Sequence, residues 1–153
     1  VPVCMADGDC TGTDRCVSND CVARPAGDTC AEATVVATLP YSASADMGAH
    51  RNDADVGDCT ASGTEGTDAI YRVTLAAGET LVAELNSDFD AALWMASECA
   101  AGVTCLAGVD EVGTWERLEV TVDDSGDYYV VVDSYAAGYP QDGGYTLDLE
   151  LLA

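Results

Sequence analysis

Eight cysteines, a single histidine and 28 acidic residues are the side chains here with chemistry to offer, in a chain of 153 residues. Four of the cysteines, Cys4, Cys10, Cys16 and Cys21, are packed into the first 24 residues with the spacing C-x5-C-x5-C-x4-C, and Cys30, Cys59, Cys99 and Cys105 follow. No C-x-x-C occurs, and His50 alone cannot complete a Cys/His zinc set. So dense a set in a short chain implies disulfides and an oxidising compartment. Residues 1–24 hold almost no apolar side chain, so crosslinks must take the place of a core there. Three pairings are open to the four cysteines of that segment. Cys59 is expected to pair with Cys30, closing a loop whose constraint on the unfolded chain is worth about 3–4 kcal/mol. Cys99 and Cys105 have the local spacing of a bridge at a hairpin tip.

Catalysis has little to stand on. There is no G-x-S-x-G elbow, and any Ser-His-Asp triad would have to use His50, which lies in a polar stretch. Glycosidase chemistry asks only for two carboxylates about 5–10 Å apart, which this many acids supply by chance. The sequence places no acid in an evidently apolar setting, and a non-enzymatic protein is the expectation.

Hard oxygen ligands are the better candidates. Asp88, Asp90, Asp133 and Asp142 fall at strand ends or in loops, where carboxylates can converge on Ca2+. The same residues serve equally well as turn formers that accept backbone N–H bonds. Asp7-Gly-Asp9-Cys-Thr11-Gly12 has the oxygen spacing of an EF-hand start, but Ser18 stands where the bidentate Glu belongs and Arg15 three residues before it. A turn-rich cystine loop is the simpler reading. Tyr135, Tyr139 and Trp115 offer apolar area with a polar handle, suited to contact with a sugar or a protein, or to packing across a loop base.

The formal charge is −23, with five arginines and no lysine. This excludes nucleic acid and anionic membrane surfaces as partners, since both require cationic side chains. It favours cations, basic partners or solubility in a salty medium. No stretch is long and apolar enough to span a bilayer as a helix. The chain opens Val-Pro-Val-Cys, as a processed secreted product would.

Positioning these residues falls to short strands. Residues 126–151 contain two runs of period-2 alternation, one with Tyr128, Val130 and Val132 on a single face, the other with Tyr145, Leu147, Leu149 and Leu151. They read as a closing hairpin with a broad loop, Ser134 to Gly143. Further strands are expected at 30–39, 41–47, 69–75, 80–86, 91–96, 106–109 and 115–122, with 69–75 and 80–86 paired through Ala76-Ala77-Gly78-Glu79. Arg24-Pro25-Ala26-Gly27-Asp28 is the one credible boundary, giving a stapled module at 1–24, a linker at 25–28 and a sandwich at 29–153. Eight or nine short strands and no long helix define an all-β, antiparallel, jelly-roll-like sandwich.

Several segments also resemble a known family. Asp68-Ala-Ile-Tyr71-Arg-Val73-Thr-Leu75, Ala77-Gly78-Glu-Thr-Leu81, Asp88-Phe89-Asp90-Ala-Ala-Leu93, and the closing Gly126-Asp-Tyr128-Tyr-Val130-Val-Val132 and Gly144-Tyr145-Thr-Leu147-Asp-Leu149 are similar, in that order, to the bacterial pre-peptidase C-terminal domain. The match spans about residues 28–151. It implies a secreted β-sandwich attached to proteases and other surface proteins, noncatalytic itself, that aids secretion, substrate contact or adhesion. The N-terminal module resembles small C-x-D-x-D-C modules of secreted bacterial proteins, which implies the pairs Cys4–Cys16 and Cys10–Cys21. Together these lead to an extracellular or cell-surface structural subunit that assembles head to tail into a filament through residues 1–24. The alternative is a monomeric module that binds carbohydrate or protein.

Overall fold

The computed structural model describes residues 3–11, 15–17, 19–22, 33–46, 68–88, 91–98, 105–109, 114–134 and 144–152. At the N-terminus a single 3-10 turn, Asp7–Asp9, precedes a hairpin of β1 (Arg15–Val17) and β2 (Asp20–Val22). Cys4–Cys16 and Cys10–Cys21 are the disulfides, with Cα atoms 5.7 and 5.6 Å apart. Asn19 takes the left-handed conformation at the hairpin turn, φ 66°, which Asn tolerates better than most side chains. Its carbonyl accepts from the N–H groups of Val3 and Cys4, so the chain start is laid against the turn. The Asp9 carboxylate accepts from the backbone N–H groups of Met5 and Ala6 at 2.9 and 3.1 Å, closing the 3-10 turn rather than reaching outward. The linker expected at 25–28 lies outside the described residues.

Among the described residues nine strands make the sandwich: β3 (Thr34–Val36), β4 (Tyr41–Asp46), β5 (Asp68–Leu75), β6 (Thr80–Ser87), β7 (Ala91–Ala96), β8 (Ala107–Val109), β9 (Trp115–Thr121), β10 (Gly126–Ser134) and β11 (Gly144–Leu151). They form a five-stranded sheet, β3-β5-β10-β7-β8, and a four-stranded sheet, β4-β11-β6-β9. The expected all-β sandwich is therefore present, with three differences of detail. The first strand is confined to Thr34–Val36, well short of the 30–39 run, and it pairs with β5 in parallel, against the otherwise antiparallel pattern. Neither β5 with β6 nor β10 with β11 is a hairpin: β10 pairs with β5 and β7, whereas β11 pairs with β4 and β6 in the opposite sheet. Alternation states only that each strand buries one face, and that is equally true of a hairpin and of a crossover between sheets. The crossovers from β5 to β6 and from β9 to β10 are bonded to each other, Gly78 N–H to the Val122 carbonyl at 2.8 Å and Val122 N–H to the Glu79 carbonyl at 3.0 Å. Gly78 sits there at φ 86°, a conformation a Cβ would strain.

Between the sheets lie the alternating residues the sequence marks: Tyr71, Val73 and Leu75; Leu81, Ala83 and Leu85; Leu118 and Val120; Tyr128, Val130 and Val132; Tyr145, Leu147 and Leu149. A second cluster, Ile70, Trp94, Ala96 and Val131, is wholly buried on the far face of the five-stranded sheet, with Ala33, Cys105 and Tyr129 packed against it. β7 is accordingly buried on both faces, as its unbroken AALWMA suits.

A polar contact between two tyrosines crosses the core. The hydroxyls of Tyr71 on β5 and Tyr145 on β11 are hydrogen-bonded at 2.6 Å, with the Tyr41 ring edge-on to Tyr71 at 6.2 Å. Burial raises the Tyr71 hydroxyl pKa well above its ordinary value, with the Tyr145 and Tyr41 hydroxyls adding to the effect. Burial raises Tyr145 too, opposed in part by its bond from Tyr71. The native state thus holds both hydroxyls neutral. The stability they contribute is complete below about pH 10, the unfolded value, and declines as pH rises from there toward the raised folded values. Tyr71→Phe should cost about 1–2 kcal/mol in urea melts because it leaves the Tyr145 hydroxyl buried without its partner. Tyr71→Phe/Tyr145→Phe should cost less than that single change and should flatten the alkaline limb of stability against pH.

Candidate functional site

The two outer faces of the sandwich differ. That of the five-stranded sheet is buried around Ile70, Trp94, Ala96 and Val131 and open at Thr74 and Asp127, whereas the four-stranded sheet turns a largely polar face to solvent. Strand register fixes the order of side chains on that open face. One row runs Ser42 (β4), Asp148 (β11), Glu84 (β6), Arg117 (β9); the next runs Ser44, Thr146, Asn86, Trp115; a third holds Glu150, Val82 and Glu119. The polar partners interlock locally: Ser44 Oγ and Thr146 Oγ1 lie 3.1 Å apart, and Thr80 Oγ1 and Thr121 Oγ1 2.7 Å.

Charge on this face is unbalanced. Arg117 reaches Glu84 at 3.4 Å and Glu119 at 3.0 Å, and it is the only cation in these rows. Asp148 stands directly across from Glu84, with Glu150 one step diagonal, and neither Asp148 nor Glu150 has a cationic partner among the described residues. Like charges placed opposite each other on adjacent strands destabilise a sheet. Pro40, Tyr41, Ser42, Val82, Glu84, Asp148, Leu149 and Glu150 line a shallow open depression of about 420 Å³ around this cluster. Val82 forms its apolar floor, 2% exposed although it points outward, flanked by Glu150 and Glu119. Thr146, Asp148 and Glu150 are legible in the sequence as the outward set of the last strand. Their apposition to Glu84 and Arg117 depends on a sheet order that the sequence does not carry.

Of the expected metal ligands, Asp88 and Asp133 are described, and they fall at one end of the sandwich. Asp88 follows β6 and Asp133 lies near the end of β10, close to where β7 begins. Asp88 is exposed, its N–H bonded to the Gly144 carbonyl at 2.9 Å. Asp133 is fully buried and accepts a hydrogen bond from Trp94 Nε1 at 3.2 Å. Asp90 and Asp142 lie outside the described residues. Two carboxylates are far short of the six to eight oxygens Ca2+ takes, so the described part of the set does not make a site by itself. Trp115 is exposed at the end of β9, at the margin of the acidic face, and Tyr135 and Tyr139 fall outside the described residues. Cys105 is disulfide-bonded, while Cys30, Cys59 and Cys99 are outside them as well.

Two acids contradict the reading that none lies in an apolar setting. Asp133 is one. Glu116 is the other, 1% exposed on the inward face of β9 opposite Leu85, because strand parity places it in the row of Leu118 and Val120. The sulfur atoms of Cys4, Cys10 and Cys21 lie close together, but all three belong to the two disulfides and hold no metal.

Fold and faces together define an all-β sandwich preceded by a disulfide-stapled N-terminal hairpin. No family model and no curated protein sequence matches the chain. Among solved structures it is similar to the pre-peptidase C-terminal domain of a collagenase from Bacillus anthracis, at 16% identity and a TM-score of 0.53, over 84% of this chain and all of that one. It is similar to the same degree to PliG of Aeromonas hydrophila, a periplasmic inhibitor of g-type lysozyme, at 15% identity and a TM-score of 0.53, over 78% of this chain and 96% of that one. The fold expected from the segments between Asp68 and Leu149 is thus the fold observed. No helix among the described residues is long and apolar enough to cross a membrane, and the disulfides point to an extracellular or periplasmic location.

Removing one of the opposed acids should stabilise the protein. Asp148→Asn is expected to raise stability by about 0.5 kcal/mol at low ionic strength. The gain should shrink with added salt, as seen by urea melts at two salt concentrations.

Proposed function

We infer that this protein is a non-catalytic accessory sandwich that works by contact, docking the open face of its four-stranded sheet on a cationic protein. The observation that carries this reading is the cluster of Glu84, Asp148 and Glu150 on an open sheet face, served by Arg117 alone through Glu84. A carboxylate row kept at a cost to stability fits a surface selected for a partner. A basic partner would supply the cations that Arg117 alone does not. The net charge of −23 steers such a partner toward the chain from a distance. PliG, a neighbour in fold, inhibits a lysozyme, so a sandwich of this kind serves protein–protein contact in at least one setting. Trp115 at the margin of the face adds apolar area of the kind that anchors interfaces. Isothermal titration with a g-type lysozyme and with a second, unrelated cationic protein tests the reading. Binding should weaken steeply with salt and fall roughly tenfold in Asp148→Asn/Glu150→Gln. Affinity unchanged by those substitutions would place the contact elsewhere.

A second reading rests on a different observation. Val3 and Met5, 65% and 76% exposed, flank the crosslinked Cys4 on the N-terminal module. Two apolar side chains on so small a rigid unit are a ready knob for the next subunit, and a repeated head-to-tail contact yields a filament. Ca2+ at the end carrying Asp88 and Asp133 would offset the repulsion between such acidic subunits. In this reading, negative-stain microscopy shows filaments in Ca2+ that Val3→Ser/Met5→Ser abolishes and excess chelator disperses. Dispersed particles at high concentration under both conditions would leave the cationic-partner reading alone.

A further inference from the structure

An outer strand of a sheet presents a row of unpaired N–H and C=O groups, and soluble proteins usually blunt such edges with lysine, inward-pointing charge, proline or a bulge. Among the described residues β4 is the outer strand of the four-stranded sheet and bonds only to β11. Nothing described covers its free side: Ser42 and Ser44 on the outward face and Ala45 on the inward face are all exposed. None of the usual blunting devices falls between Tyr41 and Ala45. The whole run from Ala33 to Ala45 lacks a charged residue, between Glu32 and Asp46, in a chain whose net charge is −23. The opposite outer strand, β9, carries Glu116, Arg117 and Glu119.

We propose that β4 pairs antiparallel with β4 of a second copy about a two-fold axis, joining two four-stranded sheets into one of eight strands. Charge selects this occupant. Two copies so acidic repel wherever their carboxylates meet, and β4 is the outer strand of this sheet where they do not. A charged peptide would find no complement along Tyr41–Ala45, whereas a neutral run of Ser and Ala fits a copy of itself closely. The nearest acids of the two copies, Asp46 at the end of one β4 and an acid on β11 of the other, would then be two strand spacings apart, about 10 Å. That exceeds the screening length of about 8 Å at physiological ionic strength. A two-fold axis normal to the sheet keeps outward faces matched only when it passes a single residue, Ala43 or Ser44. Either choice brings the two Ser44 side chains to one face within about 8 Å. Nothing in this pairing depends on a cationic partner, but it would set two acidic faces side by side in one continuous surface.

Sedimentation velocity of the full chain over a range of concentrations, in 150 mM salt, tests the pairing. The wild type should show a concentration-dependent dimer. Ser44→Glu and Ser44→Lys, each facing its own copy, should weaken it roughly fivefold or more. An equimolar mixture of the two variants should restore association, since unlike charges then meet. Ser42→Glu, which faces Asp46 or lies diagonal to its own copy in the two registers, should also weaken the dimer without touching the Ser44–Thr146 contact, and near-UV circular dichroism checks the fold of each variant. A wild type that stays monomeric at the highest concentration overturns the proposal. So does a dimer indifferent to these charges, or one that the mixture fails to restore.

Discussion

The packing of the two sheets turns on a buried hydroxyl pair. Tyr71 and Tyr145 meet at 2.6 Å within a largely apolar core, one from each sheet. Apolar packing is tolerant of small slides, because one methyl replaces another at little cost. A pair of buried hydroxyls is not, because moving either leaves a polar group without its partner in a place where water cannot replace it. The bond therefore fixes how β5 sits over β11. Through the ladders of those strands it fixes β10 and β7 over β6 and β4. The crossovers reinforce the same alignment at the other end of the strands, where Gly78 and Val122 bind two of them together. A tyrosine elsewhere shows the same economy: Tyr128 donates to the Asp124 carbonyl at 2.6 Å, holding the turn that leads into β10.

Once the sheets are fixed, their outer faces have opposite fates. The five-stranded sheet buries Ile70, Trp94, Ala96 and Val131 on its far side, and the Trp94 indole is satisfied by the Asp133 carboxylate. That part of the face is committed to the interior, while Thr74 and Asp127 farther along it stay exposed. The four-stranded sheet keeps its far side wet, and there the register brings Asp148 against Glu84 with one arginine to serve the neighbourhood. Folding alone would favour alternating signs across those strands. The surviving imbalance is the most direct sign that this face answers to something other than stability.

The sequence made the strands legible and the sheets illegible. Period 2 in 71–75, 81–85, 118–122, 128–132 and 145–149 identifies the inward rows, and every one of those rows is found in the core, while Leu151, which continues the last of them, is exposed. Which strand lies beside which is a matter of long-range pairing, and the alternation of β10 and β11 would be the same in a hairpin as in the crossover they form. The unbroken apolar runs of β7 and of Val130–Val132 did carry a usable signal, since a strand wetted on one face does not read that way. Glu116 shows the converse limit. Counting back by two from Leu118 puts it inside, yet charge argues it outside, and only the register against Leu85 decides. The hairpin of the N-terminal module was hidden for a different reason: three-residue strands are too short for periodicity, and their one cue was Asn19 between Val17 and Cys21.

Charge links the remaining features. At −23 the chain resists association with itself or with any acidic surface, so contacts must form either where an opposite charge is brought in or where charge is missing. The open face of the four-stranded sheet is the first kind of place, with Glu84, Asp148 and Glu150 clustered around the apolar floor of Val82. The neutral run through β3 and β4 is the second kind, and so are the exposed Val3 and Met5 beside Cys4. The described surface also mixes acids with exposed Val35, Leu106 and Leu152. Under the proposed function, repulsion keeps such chains apart and contact is confined to sites set apart by composition. The fold contributes the rigidity that keeps those sites apart.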